Sequence, residues 1–419
     1  MSDEIERITG AVPGPRTREL ARRLRARESR NVTYIGEDFP VFWERARGWT
    51  VDDVDGTRYI DLTSAFGVAS IGHANPAVVA AIEGQARDLV HGMGDVHPSE
   101  VRTRLLERLA RVLPPALEKT FLGTSGSEAV EAALKTAVLA TGRSRFVAFR
   151  NAYHGLSLGA LTVTGIEKFR TPFAHLIPGV TAFAPYPPDG SIDDVAALVD
   201  ERTAAVIVEP IQGRGGCIVP PDGFLSALRR LCDERGALLI FDEIYTGFGR
   251  TGDWFACNHE NVVPDIICVG KAMGGGVPVS AAVARAAVMD AWPESRGEAL
   301  HTSTYLGNPL GCAAALAAIG EIERLRLPER ARSLEGLVRE RAQSLLERGA
   351  IVAARGRGLM WGLALPDGEQ AERAVSNALA RGVILLQAGP LGNVLQISPP
   401  LIISENALHR AFDIIEGVL

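Results

Sequence analysis

Four short stretches limit what this chain can fold into. "RFVAFR" (145–150), "AAVIVEP" (204–210), "ALLIFDE" (237–243) and "DIICVGK" (265–271) are near-continuous runs of β-branched and aliphatic residues. A strand with one wet face alternates apolar and polar residues. A strand that is apolar on both faces suits a parallel sheet covered on both sides. Between the second and third runs, "GFLSALRRLCDERG" (223–236) has helical spacing and closes on a glycine just past the last turn. The strand–helix–strand alternation predicts an α/β fold with a large, doubly wound, mostly parallel sheet.

The two ends of the chain read differently. "WTVDDVDGTRYIDLTSAFG" (49–67) has short alternating runs around an Asp-Gly pair, which predicts a hairpin. After about residue 320 come amphipathic helices, roughly 328–348 and 404–418, around short strands such as "GLMWGLAL". A smaller α+β domain built from residues 1–65 and 316–419 is therefore expected beside a large domain spanning 66–315. The length of 419 residues agrees with about two or three domains.

Composition narrows the function. With 47% hydrophobic and 22% charged residues the chain reads as an ordinary globular protein, and a net charge of -6 argues against a nucleic-acid partner. The arginine-rich stretch Arg16 to Arg30 is interrupted by glutamates and by helically spaced Leu20 and Leu24, so it predicts a solvated helix face. The acidic start "MSDEIERITG" lacks the apolar core of a signal peptide. The longest uncharged stretch, 301–320, is too polar for a membrane span. Five scattered cysteines without a paired spacing predict a reduced, cytoplasmic protein with no structural metal.

In open parallel sheets, ligands bind where the strands end. Here those ends carry Tyr153-His154-Gly155, Glu209, Asp242-Glu243 and Lys271. A further stretch, "FLGTSGSEAVEAALK" (121–135), joins a strand to a helix through a Gly/Ser/Thr turn. Such a helix start offers free N–H groups to an anion such as phosphate, although Ser125 and Glu128 also fit a plain N-cap box. A nucleotide loop ending at Gly270-Lys271 is excluded, since Asp265 and Ala272 stand where glycine and a hydroxyl residue are needed. "GRGLMWG" (356–362) has the wrong spacing for one. Asp242 and Glu243 cannot flank one glycosidic bond, because neighbours on a strand point to opposite faces. A phosphate site, an acid ending one strand and a lysine ending the next together suit pyridoxal phosphate. Its ring needs a carboxylate at the pyridine nitrogen, and its aldehyde needs an amine.

"FDEIYTGFGRTG" (241–252) followed by "ICVGKAMGGGVP" resembles the signature of the class-III, fold-type-I pyridoxal-phosphate aminotransferases, the group of 4-aminobutyrate, ornithine, acetylornithine and ω-amine transaminases. "TSGSEAVEAALK", "NAYHG", "VEPIQGRGG", "HTSTYLGNPLGCAAA" and "RGRGLMWG" extend the resemblance over nearly the whole chain. It implies that Lys271 is the Schiff-base lysine and that Asp242 pairs with the pyridine nitrogen. Ser125, Gly126 and Ser127 would bind the phosphate, with Tyr153 stacked on the ring and His154 beside it. Thr304 would bind the phosphate of a neighbouring subunit, which implies a homodimer with active sites at the subunit interface. Glu209 matches a glutamate that in relatives pairs with a movable arginine, and Arg214 is the nearest candidate partner.

The departures bear on substrate. Tyr245 replaces a common glutamine that touches the cofactor's phenolic oxygen, and Leu156 and Gln396 replace arginines that grip a substrate carboxylate. The expected donor is therefore a terminal (ω) amine, with a keto acid such as pyruvate or 2-oxoglutarate as acceptor. Phe42, Trp43 and Phe66 align with substrate-pocket positions. A class-III racemase, aminomutase or decarboxylase would use the same lysine and aspartate and is the alternative.

Overall fold

The computed structural model describes residues 5–36 and 38–419; residues 1–4 of the acidic start lie outside them. Three strands come first: β1 (Trp43–Arg47), β2 (Thr50–Asp53) and β3 (Arg58–Asp61). The large sheet is built from β4 (Lys119–Gly123), β5 (Arg145–Phe149), β6 (Thr181–Ala184), β7 (Thr203–Val208), β8 (Leu238–Asp242), β9 (Ile266–Val269) and β10 (Ser280–Ala284). Its spatial order is β4-β10-β9-β8-β7-β5-β6. The four runs singled out in the sequence are β5, β7, β8 and β9, four adjacent strands at the centre, all parallel.

Period-two geometry explains why these strands are apolar throughout. Val147, Phe149, Val206, Val208, Leu239, Phe241, Ile267 and Val269 belong to one buried cluster, with the helix Phe224–Arg235. Their neighbours Phe146, Ala148, Ala205, Ile207, Ile240, Ile266 and Cys268 belong to a second, with the helix Gly126–Thr141. β10 is the exception in direction and pairs antiparallel with β9 and β4. The connection 270–279 holds only a short 3-10 turn, too little chain for the crossover that a parallel pair needs.

The expected hairpin is β2 and β3, closed by Gly56 at φ +85°. The Asp53 carboxylate accepts the N–H groups of Asp55 and Thr57, both at 2.9 Å, and fixes the turn. From the other end of the chain come β11 (Ala353–Arg357), β12 (Met360–Ala364), β13 (Val383–Ile384), β14 (Leu386–Ala388) and β15 (Val394–Ile397). β13 pairs in parallel with β3, so the two chain ends share one four-stranded sheet. The expected helices are present at Leu327–Glu347, Glu405–Glu416 and, for the arginine-rich stretch, Pro15–Arg25.

Arg250 joins these parts. It follows β8 and is 1% exposed, and it has no carboxylate partner among the described residues. Its guanidinium donates to the carbonyls of Leu359 (3.1 Å) and Pro399 (2.6 Å) and to the hydroxyls of Ser64 (3.2 Å) and Ser70 (2.9 Å). One planar fork thus holds segments from both chain ends against the end of a central strand. Arg250→Met should strand these buried acceptors and lower stability by about 3 kcal/mol. Arg250→Lys should recover only part of it. Urea unfolding midpoints read the effect, and an unchanged midpoint for Arg250→Met would contradict this role.

Candidate active site

The carboxyl ends of β5, β7, β8 and β9 open on a cavity of about 1420 Å³. Its lining brings together Phe66, Ser125, Gly126, Ser127, Tyr153, His154, Glu209, Arg214, Asp242, Tyr245, Lys271 and Gln396, residues 330 positions apart at the extremes. Three predicted residues, Trp43, Thr304 and Phe42, are not brought there. Trp43 lies outside the lining, 41% exposed, with its ring edge against His73 at 5.7 Å. Thr304 is exposed and also outside its own chain's cavity. Phe42 and Leu156 do not line it either, and Leu156 is 48% exposed.

Lys271 starts the 3-10 turn after β9 with φ +41°, a left-handed conformation, and Gly275 and Gly276 continue the turn with positive φ. Gly275 has φ +57°, a conformation side chains rarely adopt, and a Cβ there would press on Ala318 at 3.1 Å and Val78 at 3.2 Å. The Lys271 Nζ lies 4.7 Å from the centroid of the Tyr245 ring. Burial lowers its pKa, and Arg214 acts in the same direction, while Asp242 and Glu209 oppose them. The amine is thereby moved toward the neutral form that a nucleophile or base requires.

Asp242 ends β8 and is 4% exposed. Its carboxylate pairs with His154 Nδ1 at 2.8 Å and accepts the N–H of Ile244 at 3.1 Å. His154 is itself held, its N–H donating to Thr164 Oγ1 at 3.0 Å. Glu243 points the other way and accepts the N–H groups of Ala256 (3.0 Å) and Cys257 (2.8 Å), the opposite-face arrangement expected of strand neighbours.

At the start of the helix Gly126–Thr141, Ser125 caps through its hydroxyl the N–H of Glu128 at 3.3 Å. The N–H groups of Gly126 and Ser127 have no acceptor among the described residues. Both readings of this stretch hold at once: a capped helix whose first N–H groups remain open to the cavity. A Cβ on Gly126 would press on the end of the Ile244 side chain at 2.9 Å. Open N–H donors, a fixed buried carboxylate, an aromatic wall at Tyr153 and an amine whose pKa burial lowers, all in one cavity, are the donor set that pyridoxal phosphate requires.

Glu209 does not pair with Arg214. It accepts the N–H of Tyr153 (2.9 Å) and of Gly213 (3.1 Å). Burial pushes its pKa up to about 7. The Tyr245 hydroxyl bonds Ser398 Oγ at 2.7 Å, leaving the ring toward Lys271. Sequence reasoning missed Lys168, Phe169, Ile244 and Ser398. Of the chain's four lysines (Lys119, Lys135, Lys168 and Lys271), Lys168 and Lys271 line this cavity.

Because the Glu209 pKa is raised above its ordinary value of 4.5, its stability contribution is complete below that value and is lost as pH rises through about 7. Raising the pH from about 5 to about 8 should therefore cost wild type on the order of 2 kcal/mol relative to Glu209→Gln. Urea unfolding across that range checks it; a difference independent of pH would contradict it.

The family model "Aminotransferase class-III" matches residues 33–419. A 4-aminobutyrate aminotransferase of Mycobacterium leprae (strain TN) is 37% identical, with 100% of this chain and 98% of that protein covered. An acetylornithine aminotransferase of Methanosarcina mazei is 40% identical over 90% of this chain and 91% of its own. Among solved structures, an amine transaminase from an uncultivated Pseudomonas species, in its pyridoxal-phosphate-bound form, superposes with TM-score 0.86 at 30% identity, covering 94% of this chain and 98% of its own. The chain belongs to the class-III aminotransferases and is a pyridoxal-phosphate-dependent transaminase.

Proposed function

We propose that this aminotransferase takes its amino group from a terminal (ω) amine and passes it to a small keto acid, with Lys271 as the residue that carries the chemistry. The observation that supports the donor class is the poverty of cations around Lys271. Among the described residues, the only other cations lining the cavity are Arg214 and Lys168. Gln396 occupies one place where an arginine could stand, and its amide is turned to Cys217 Sγ at 3.5 Å. Leu156, at the other place, is outside the cavity. A carboxylate brought into an enclosed site without a cation costs several kcal/mol, roughly, so a donor with its carboxylate beside the reacting amine is disfavoured. Phe66, Ile166 and Ile211 offer apolar lining to a carbon chain.

The residues divide the work. Gly126 and Ser127 N–H groups, with the Ser125 hydroxyl, would hold the cofactor's phosphate at the positive end of their helix. Asp242, fixed in direction by two hydrogen bonds, would face the pyridine nitrogen, and Tyr153 would cover a ring face. When bound, pyridoxal phosphate supplies an electrophilic carbon for amines and a ring that accepts the electrons left by a departing proton. Lys271 Nζ would hold that group covalently at rest. Freed by the donor, Nζ, its pKa lowered by burial, would be placed to take up the donor's proton and return it. Tyr245 supports this position through its ring.

A homodimer is the proposed working unit. Val90, Met93, Val96 and Tyr305 are each more than half exposed, on two segments tied together by the bond from Asn308 Nδ2 to the Val90 carbonyl (3.2 Å) and by the His91–Tyr305 ring pair. Such a patch argues for a partner surface. It adjoins Thr304, which supports that residue's reaching a neighbouring subunit's phosphate. All five cysteines are free and buried, which supports a reducing, cytoplasmic setting. No helix among the described residues is long and apolar enough to cross a membrane.

The test is a single-turnover screen of the holoenzyme without keto acid, following conversion of the cofactor to its amine form. Diamines and ω-amino acids should convert it faster than plain α-amino acids, apart from the amino acid formed from the true acceptor. Faster conversion by several plain α-amino acids than by every terminal amine would overturn the donor assignment. A cofactor returned unchanged by every amine would favour a racemase-type reaction instead.

A further inference from the structure

Four consecutive residues beside the cavity hold left-handed backbone: Ser64 (φ +48°), Ala65 (φ +48°), Phe66 (φ +63°) and Gly67 (φ +80°). That conformation is costly for most residue types but glycine, and a run of it persists only where the surroundings hold it. Here they do. The Ser64 hydroxyl donates to the Ser398 carbonyl at 2.6 Å and accepts from Arg250 Nη2 at 3.2 Å. Thr63, just before the turn, donates to the buried Asp61 carboxylate through its N–H (2.7 Å) and its hydroxyl (2.6 Å). Held in this way, the turn lays Gly67 against the ring of Tyr245.

Tyr245 is gripped on three sides. A Cβ on Gly67 would fall 2.2 Å from its Cε2, and one on Gly213 would fall 2.5 Å from its Cδ1, so glycine backbone faces both edges of the ring. Its hydroxyl bonds Ser398 Oγ at 2.7 Å, and the carbonyl of that same serine holds Ser64. Gly213 is fixed in its own right, its N–H donating to Glu209 at 3.1 Å. A ring stopped on both edges and tied at its tip presents a fixed face, and Lys271 Nζ stands 4.7 Å from its centroid, over the ring. Burial lowers the pKa of that amine, Asp242 and Glu209 raise it, and Arg214 lowers it. No carboxylate among the described residues lies within ion-pair distance of Nζ.

We propose that Tyr245 is a positioning residue for Lys271: its clamped face holds the freed amine while that amine carries the donor's proton, between taking it up and giving it back. This rests on the reading of Lys271 as the lysine that holds the cofactor. The face of an aromatic ring attracts an ammonium without offering a base to which the proton could be lost. A carboxylate in contact would offer one. Asp242 is instead turned to His154 and the Ile244 N–H, and Glu209 to the N–H groups of Tyr153 and Gly213. Burial pushes the pKa of the Tyr245 hydroxyl up, so the ring stays a neutral phenol. One proton reaches Nζ from the donor's carbon and one leaves it, so the step balances without a further acid or base. The departure at 245 gains a reason as well. A glutamine there would touch the cofactor's oxygen; a ring whose hydroxyl is drawn to Ser398 serves the lysine instead.

The test uses the enzyme loaded with pyridoxamine phosphate, the form in which the Lys271 amine is free. Competitive acetylation with acetic anhydride across pH, read by mass spectrometry on the Lys271 peptide, gives the pH at which that amine loses its proton. The ring favours the charged amine, so removing it should bring the midpoint down. Tyr245→Leu and Tyr245→Gln should each lower it by about one pH unit, whereas Tyr245→Phe, which keeps the face, should stay within about 0.3 unit of wild type. A general folding defect would not be rescued by the phenyl ring in this order. Midpoints of the Leu and Gln variants within about 0.2 unit of wild type, or an equal fall in Tyr245→Phe, would overturn the role of the ring. The resting pyridoxal-phosphate form separates the two readings. Lys271 acetylated as fast in that form as with pyridoxamine phosphate would sink its assignment as the cofactor's anchor. Lys271 protected there, with unmoved midpoints in the variants, would sink the role of Tyr245 alone.

Discussion

A carboxylate with 4% exposure at the end of a central strand is the constraint around which this molecule is arranged. A carboxyl group buried there needs its oxygens met by hydrogen-bond partners. His154, delivered by the chain after β5, and the N–H of Ile244 meet them. That requirement ties the ends of two strands together across β7, and it leaves the carboxylate fixed in direction before any ligand arrives. The neighbouring strand ends then place Glu209 and Lys271 in the same enclosed volume, where the shift in each group's pKa is caused first by burial. A lysine with a lowered pKa and a carboxylate fixed in direction are thus two consequences of one geometry.

The same end of β8 also holds the periphery. Glu243 turns inward to cap the turn at residues 256–257, and Arg250 reaches to Ser64, Ser70, Leu359 and Pro399. Segments from both chain ends are therefore registered on the strand that carries Asp242. Gln396, Tyr245 and Ser398 belong to this seam, where the central strands meet the C-terminal sheet.

Much of this was legible in the sequence because two-sided apolar runs leave a parallel sheet little choice, and a sheet edge collects whatever ends its strands. Asp242, Lys271, Tyr153, His154 and Glu209 were read from their strand-end positions alone. Trp43 was not readable in the same way. Its edge strand carries a register irregularity between Trp43 and Arg45, and one such step turns a side chain to the other face. Tyr245 was visible as a departure, but the direction of its hydroxyl is set by Ser398, far away in sequence. The partner of Glu209 was equally hidden: the carboxylate bonds backbone N–H groups, which no side-chain pattern announces. Lys168 escaped notice because a single lysine on an exposed segment carries no periodic signal.

Lys271, and no other lysine, is expected to hold the cofactor. The four lysines allow a direct measurement. The resting holoenzyme is reduced with borohydride, digested, and searched by mass spectrometry for the pyridoxyl mark. The mark is expected on the peptide containing Lys271 alone. A mark on the peptides of Lys119, Lys135 or Lys168 in place of Lys271 would contradict it.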